Sequence, residues 1–187
     1  RARHDFGALL VDATRAIIDD ADQRRSDHAW FRHDWDELQR RRDGITLDGA
    51  GLDSLTLLAG KLLPAQSPTQ LGEAWLDATA DRHTATAAAY GLVAVDDPTD
   101  PEARIRAGRT LQRVHLWATG AGLALHHMNQ VSERADRENQ LHLPGPFGPA
   151  LADLSPNGAA VLCSFRLGHP VRTPGPSPRR SVEQVIR

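Results

Sequence analysis

Residues 161–186, VLCSFRLGHPVRTPGPSPRRSVEQVI, join an apolar stretch to a proline-rich arm that ends on two arginines. Every second position of the first part is apolar, which predicts a strand with one apolar face, formed by Val161, Cys163, Phe165 and Leu167. Guanidinium groups bind phosphate oxygens bidentately and keep their charge. We therefore expect Arg179 and Arg180, delivered on a stiff arm, to hold a phosphate; the alternative is a solvated basic tail.

The composition is that of an ordinary soluble domain, with 187 residues, 40% hydrophobic residues, 25% charged residues and a net charge of -2. This charge favours neither a nucleic-acid nor a membrane partner. The single cysteine, Cys163, excludes an internal disulfide. Because no long apolar run and no signal-peptide pattern occurs, we expect a cytoplasmic protein. The start at Arg1 suggests a processed product or a fragment.

The first 80 residues are predicted to be mostly helical. Apolar residues recur at helical spacing over 5–20, 52–63 and 70–80. The intervening segment 21–43 is crowded with charge but carries three aromatic residues, Trp30, Phe31 and Trp35. This mixture favours a helical surface that docks on another surface, and the segment is a candidate lid.

Residues 81–187 are predicted to form a strand–helix–strand core that ends in the arginine arm. The apolar run 90–95 predicts a buried strand, and Asp100 before Pro101 is typical of a helix start. The helix is expected to run to Leu125, interrupted near its end by Gly120 and Gly122, and 139–158 is expected to be a loop. The fold class is therefore α+β, in one domain or half-domain over 1–187.

The segment 108–138, GRTLQRVHLWATGAGLALHHMNQVSERADRE, resembles the central helix of nitroreductase-like flavoproteins and the Gly-Leu turn that follows it. The closer resemblance is to a two-lobed, Acg-like branch, in which a Gln and then a Glu follow the turn, as Gln130 and Glu133 do here. That branch also ends in Pro-Arg-Arg, present as 178–180. Two upstream patches, 30–32 and 42–44, are similar to the branch as well, whereas His169 stands where the family has an aromatic residue.

This resemblance implies a nitroreductase-like sheet flanked by helices, an FMN cofactor, and electron transfer from NADH or NADPH to a small organic acceptor. It places the FMN phosphate on Arg180, supported by Arg179. Asn129 and Gln130 would border the flavin ring, where many members have an acid and a glycine, and Gly122 would allow a close approach. Capping of a helix end is the alternative role for Asn129 and Gln130. No side chain is expected to be a catalytic acid or base, because the flavin carries the chemistry.

The resemblance also implies a flavin site that this chain does not complete alone. The arginine-rich N-terminal motif of the family has no counterpart here, since Arg1-Ala2-Arg3 is too slight. The chain resembles the second half of a two-lobed protein, so a homodimer or a related half-domain is expected to complete the site. Two alternatives stay open: a flavin-binding protein that sequesters the cofactor without turnover, and a catalytically empty scaffold module.

Four other kinds of site are disfavoured. Residues 51–55, GLDSL, match the motif in which a carrier-protein serine takes phosphopantetheine, but three arginines precede it and carrier domains are usually acidic. We expect Leu52 and Leu55 to pack this segment into a helical layer. His126 and His127 are adjacent, so on a helix they point to different faces, and no paired Cys/His spacing predicts a metal site. Neither a GxSxG elbow nor a dinucleotide or phosphate-loop fingerprint occurs.

Overall fold

The computed structural model describes residues 2–172 and 177–186. Over these residues the helices are α1 Ala2–Asp19, α2 Ala21–His28, α3 Trp35–Arg41, α4 Ser54–Leu62, α5 Pro68–Ala78, α6 Pro101–Gly120, α7 Gln130–Leu141, α8 Phe147–Leu154 and α9 Val182–Val185. The strands are β1 Phe31–Arg32, β2 Ile45–Thr46, β3 Ala89–Val95, β4 Ala124–His127 and β5 Ala160–Gly168. This mixture of helices with a small antiparallel sheet confirms the α+β class.

The chain divides into two compact units. The first unit comprises Arg1–Asp19 and Ala74–Pro170, and the second comprises Asp20–Glu73 and Val171–Arg187. The first unit contains the three-stranded sheet, in the order β3-β5-β4, with both pairs antiparallel. The predicted strand–helix–strand core lies within this unit.

The two faces of the sheet in the first unit are covered by different helices. On one face, α1, α7 and α8 enclose the main core, which consists of Phe6, Leu10, Ala13, Met128, Val131, Ala135, Phe147 and Leu151. The helical spacing predicted for residues 5–20 is confirmed, because Phe6, Leu10, Ala13 and Ile17 of α1 recur at that spacing and are buried. On the other face lies α6, which packs on β3 and β4.

The start of α6 is the one that the sequence predicts. The Asp100 side chain accepts a hydrogen bond from the Glu102 backbone N–H at 2.9 Å, and Pro101 is the first helical residue. The predicted end at Leu125 is wrong: α6 stops at Gly120, and residues 124–127 form β4. β4 is short and carries two histidines, so it lacks the alternating apolar pattern that would have revealed a strand.

Two further sequence predictions need correction in the first unit. The predicted loop 139–158 contains the eight-residue helix α8, in which Gly148 and Pro149 occupy the first turn, where both residues are tolerated. Val161 does not share a face with Phe165, because the register of β3 and β5 shifts between Val93 and Ala94. The shift is a β-bulge that turns Val161 toward the main core, against which it packs.

The second unit is built around a buried ion pair. Nε and Nη2 of Arg32 donate to one carboxylate oxygen of Asp43 at 3.1 and 3.0 Å, and Nη1 donates to the Ala29 carbonyl at 2.6 Å. Beside this pair, β1 and β2 lie parallel, and the backbone N–H of Ile45 donates to the Trp30 carbonyl at 2.8 Å. The two upstream patches at 30–32 and 42–44 are thus in contact.

The helix α4 begins at Ser54, with Asp53 as its N-cap. Leu55 is 76% exposed, so the expectation that it packs into a helical layer is wrong.

Part of the proline-rich arm, 173–176, lies outside the described residues. Among the helices of the described residues, none has the length and apolarity needed to span a membrane.

Candidate functional site

The first unit contains a half-open cleft of about 140 Å³ beside the C-terminal end of β4. Its walls are formed by Trp75, His126, His127, Asn129, Gln130 and Glu133. Two of the residues that the sequence places beside a flavin ring, Asn129 and Gln130, therefore line the same cleft. Trp75 and two adjacent histidines, His126 and His127, line the cleft as well.

Asn129 and Gln130 are held in place by the middle of the sheet. The Asn129 side-chain oxygen accepts a hydrogen bond from the backbone N–H of Ser164 at 2.9 Å. The Ser164 hydroxyl donates to the carbonyl of Met128, a residue that is only 1% exposed. Gln130 begins α7 and is buried. Because Asn129 makes no side-chain bond to the start of α7, its role as a helix cap is not seen, and its amide nitrogen is left for other acceptors.

A row of polar residues crosses the sheet next to the cleft. Arg166 on β5 lies opposite Tyr90 on β3 and opposite His126 on β4, so the three side chains project from the same face. The Arg166 Nε donates to His126 Nδ1 at 3.1 Å. Its Nη1 donates to the His83 carbonyl at 2.9 Å and to the Thr86 hydroxyl at 3.0 Å.

The two histidines nearest Arg166 are kept neutral by their surroundings. Burial lowers the pKa of His126 to about 4, assisted by the charge of Arg166, although the residue as a whole keeps more than a third of its surface. The ring is nevertheless packed edge-to-face against His83, with centroids 4.9 Å apart, and this contact removes water from it. Burial likewise lowers the pKa of His83 to about 4. Both imidazoles are therefore uncharged at neutral pH.

The pKa of the second histidine of the cleft, His127, is also lowered. His127 is in edge-to-face contact with His115 of α6, at 6.0 Å between centroids, and burial lowers its pKa. The adjacent histidines lie on a strand, not on a helix, and so point to opposite faces of the sheet. Within the described part of the chain, no group of three or more His, Cys, Asp or Glu side chains is arranged to hold a metal ion.

Gly122 lies at the end of α6, before β4. Its backbone has a φ of +72°, its N–H donates to the Thr119 carbonyl, and the Leu123 N–H donates to the Ala118 carbonyl. These two bonds form a Schellman motif, which requires a left-handed residue at this position. A side chain added at Gly122 would meet no atom within 4 Å, so the position faces open space.

Arg179 and Arg180 belong to the second unit. Both are exposed, and neither forms an ion pair with any residue that the structure describes. They therefore retain their donors for an anion. By contrast, the cations of the larger concavity in the second unit, about 230 Å³, are already paired, Arg32 with Asp43 and Lys61 with Asp48 at 2.7 Å.

Sequence reasoning missed five residues of the candidate site: Trp75, His83, His126, His127 and Arg166. Arg166 is the one charged residue of β5, but its partners lie 40 and 83 residues away in the sequence. No family model, curated protein or solved structure matches the chain.

Proposed function

We propose that the chain is an FMN-dependent oxidoreductase of the nitroreductase-like type, which passes electrons from NADH or NADPH to a small organic acceptor. The observation that carries this proposal is the cleft of the first unit, which is lined by Asn129 and Gln130 together with Trp75 and two histidines whose pKa values are lowered by burial. The amides can donate to and accept from the polar edge of a flavin ring, and the indole offers a flat apolar surface.

The residues of the cleft fit an edge of the flavin ring by their chemistry. Apart from Glu133 the lining is uncharged, and its donors and acceptors are fixed by the sheet and by the start of α7. When bound, the flavin would supply the hydride and electron chemistry, while this chain would bind it, orient it and exclude water. No ionised acid or base in the cleft is required for that role.

The phosphate of FMN is assigned to the arginine arm. Arg180, supported by Arg179, would donate to the phosphate oxygens in charge-assisted hydrogen bonds. The exposure of both side chains, and the absence of an ion pair with any described residue, support this assignment. Gly122 would let the backbone after α6 approach the ring.

A second copy of the chain, or a related half-domain, would complete the site. The outward face of α6 supports this part of the proposal, because it exposes Ile105, Leu116 and Trp117, each by more than 60%. Leu116 and Trp117 are neighbours near the C-terminal end of the helix, and exposed apolar side chains that lie together favour association.

The decisive test compares FMN with riboflavin, which lacks the phosphate. Replacement of Arg180 by Ala removes charge-assisted hydrogen bonds worth roughly 1.5–3 kcal/mol, so FMN affinity should fall about ten- to hundredfold. Riboflavin affinity should barely change. Both ligands are titrated into wild type and variant by fluorescence quenching, and Arg180→Lys should recover part of the loss, since a point charge cannot reproduce the planar fork.

Two outcomes would count against the proposal. Equal losses for FMN and riboflavin would reduce Arg180 to a residue that affects only general stability, and an unchanged FMN affinity would make it a solvated tail residue. Arg40→Ala, an exposed arginine of α3, serves as the matched control. If FMN binds but neither NADH nor NADPH reduces it, the protein sequesters the flavin without turnover; if no flavin binds, the scaffold alternative stands.

A further inference from the structure

The hydrogen bond between Arg166 and His126 determines which nitrogen of the imidazole carries its proton. A guanidinium group has donors only, so the Nδ1 of His126, 3.1 Å from the Arg166 Nε, must be an acceptor. In a neutral imidazole the proton is then on Nε2. His126 lines the cleft, and no described residue makes a hydrogen bond with its Nε2.

The guanidinium itself is held firmly enough to impose this arrangement. Its Nη1 donates to the His83 carbonyl and to the Thr86 hydroxyl, and the three hydrogen-bonded acceptors of Arg166 are all neutral. No described carboxylate forms an ion pair with Arg166, so its charge remains beside His126 and opposes protonation of that ring. A second neutral ring, His83, packs edge-to-face on His126 and prevents it from turning freely.

We propose that His126 is a fixed, uncharged hydrogen-bond donor in the cleft, with Arg166 as its positioning residue. The ligand group that it fits is a hydrogen-bond acceptor, such as a carbonyl oxygen or an unprotonated ring nitrogen, on a planar ring that lies against Trp75. A cation is disfavoured at this point, because the donor cannot accept and Arg166 lies behind it. The flavin ring carries acceptors of this kind, and the identification of the ligand rests on the proposed function.

The first arm of the test reads the tautomer directly and needs no flavin. In the full chain labelled with ¹⁵N-histidine, long-range ¹H–¹⁵N correlations should show His126 protonated on Nε2 throughout the range from pH 5 to 8. Arg166→Met removes the donor, so the ring should become a mixture of tautomers and titrate closer to an ordinary histidine. Arg166→Lys should retain part of the preference. Arg109→Met, an exposed arginine of α6, should change nothing.

The second arm measures the donor's effect on ring binding. His126→Leu should weaken FMN and riboflavin equally, by about three- to tenfold, because one neutral hydrogen bond is lost. His126→Gln, which presents an N–H at a similar reach, should keep most of the affinity. His4→Leu, at an exposed histidine of α1, is the matched control. The equal loss for both ligands distinguishes this contact from that of Arg180, whose removal affects FMN alone.

Several results would overturn the inference. A wild-type His126 protonated on Nδ1 refutes the positioning by Arg166, even if Arg166→Met proves too unstable to study. Unchanged flavin affinity in His126→Leu refutes the ligand contact. Failure of the wild type to bind any flavin refutes the proposed function and the contact together, whereas the tautomer would still decide the role of Arg166.

Discussion

Arg32 is buried and Arg166 is half-buried, and their surroundings give them different roles. Arg32 is 5% exposed and is neutralised by Asp43, so its charge serves the packing of the second unit. Breaking such a pair leaves a buried charge without compensation, which is strongly destabilising. Arg166 is bonded to neutral acceptors only and keeps its charge available. A structural arginine and a site arginine are thus distinguished by what they contact.

At the scale of single residues, Gly91 is required by the cross-strand contact with Phe165. The two residues are paired between β3 and β5, and the Phe165 ring lies where a Cβ of residue 91 would be. Gly91→Ala should therefore lower the free energy of unfolding by roughly 1–3 kcal/mol, the usual cost of overpacking. Chemical denaturation followed by circular dichroism measures the change.

The matched control for Gly91 is Gly108, a helical glycine of α6 with no atom near its missing side chain. Gly108→Ala should raise stability by about 0.5–1 kcal/mol, because alanine has the higher helix propensity. If both variants lost stability to the same extent, the contact with Phe165 could not be the cause.

At the scale of elements, two explanations account for the glycine at position 122, at the end of α6, and substitution of Gly122 distinguishes them. The Schellman motif explains the glycine by its positive φ alone. The proposed function adds a close approach of the ring, which any side chain would obstruct. Asparagine tolerates the left-handed conformation but adds a side chain. Gly122→Asn should therefore cost less than about 1 kcal/mol of stability and yet weaken binding of FMN and riboflavin alike.

Gly122→Ala provides the complementary measurement, since it should cost about 1 kcal/mol of stability through the strained backbone. Thermal unfolding and flavin titration are measured on both variants. If Gly122→Asn binds flavin as the wild type does, the glycine is explained by the helix end and the close approach is refuted.

The elements that sequence reasoning located are those whose signals are local. The start of α6 depends on Asp100 and Pro101 alone, and the apolar faces of α1 and β5 repeat with the period of their own backbone. β4 was missed because His126 and His127 have no strand periodicity; the strand exists through its pairing with Phe165 and Arg166. The bulge that turns Val161 toward the core also depends on β3, a partner about 70 residues away. Asn129 and Gln130 follow β4, so their shared cleft could be expected only from the family resemblance.

At the scale of the whole molecule, α6 is the longest helix described and yet buries only Ala107 and Ala118. One side packs on the sheet, and the other exposes three large apolar side chains. Ile105 stands alone among exposed polar residues, as is ordinary, but Leu116 and Trp117 lie next to each other, and such a pair favours association. The exposed side of α6 is therefore a candidate contact between copies of the chain.

We expect the 187-residue chain, expressed alone, to form a dimer or a larger assembly, and to bind FMN more tightly as it associates. Trp117→Glu places a charge next to Leu116 on the exposed side of α6 and should weaken self-association at least about tenfold, since burial of an unpaired charge costs more than 1.4 kcal/mol. Gln140→Glu adds the same charge at an exposed polar position of α7 rather than α6 and should have little effect. Sedimentation velocity over a range of concentrations measures the assembly, and FMN titration at the same concentrations measures how strongly FMN binding depends on assembly.

Two results would contradict this expectation. A wild-type chain that stays monomeric and folded would show that α6 needs no second copy. Tight binding of FMN by that monomer would show that the flavin site is complete within one chain.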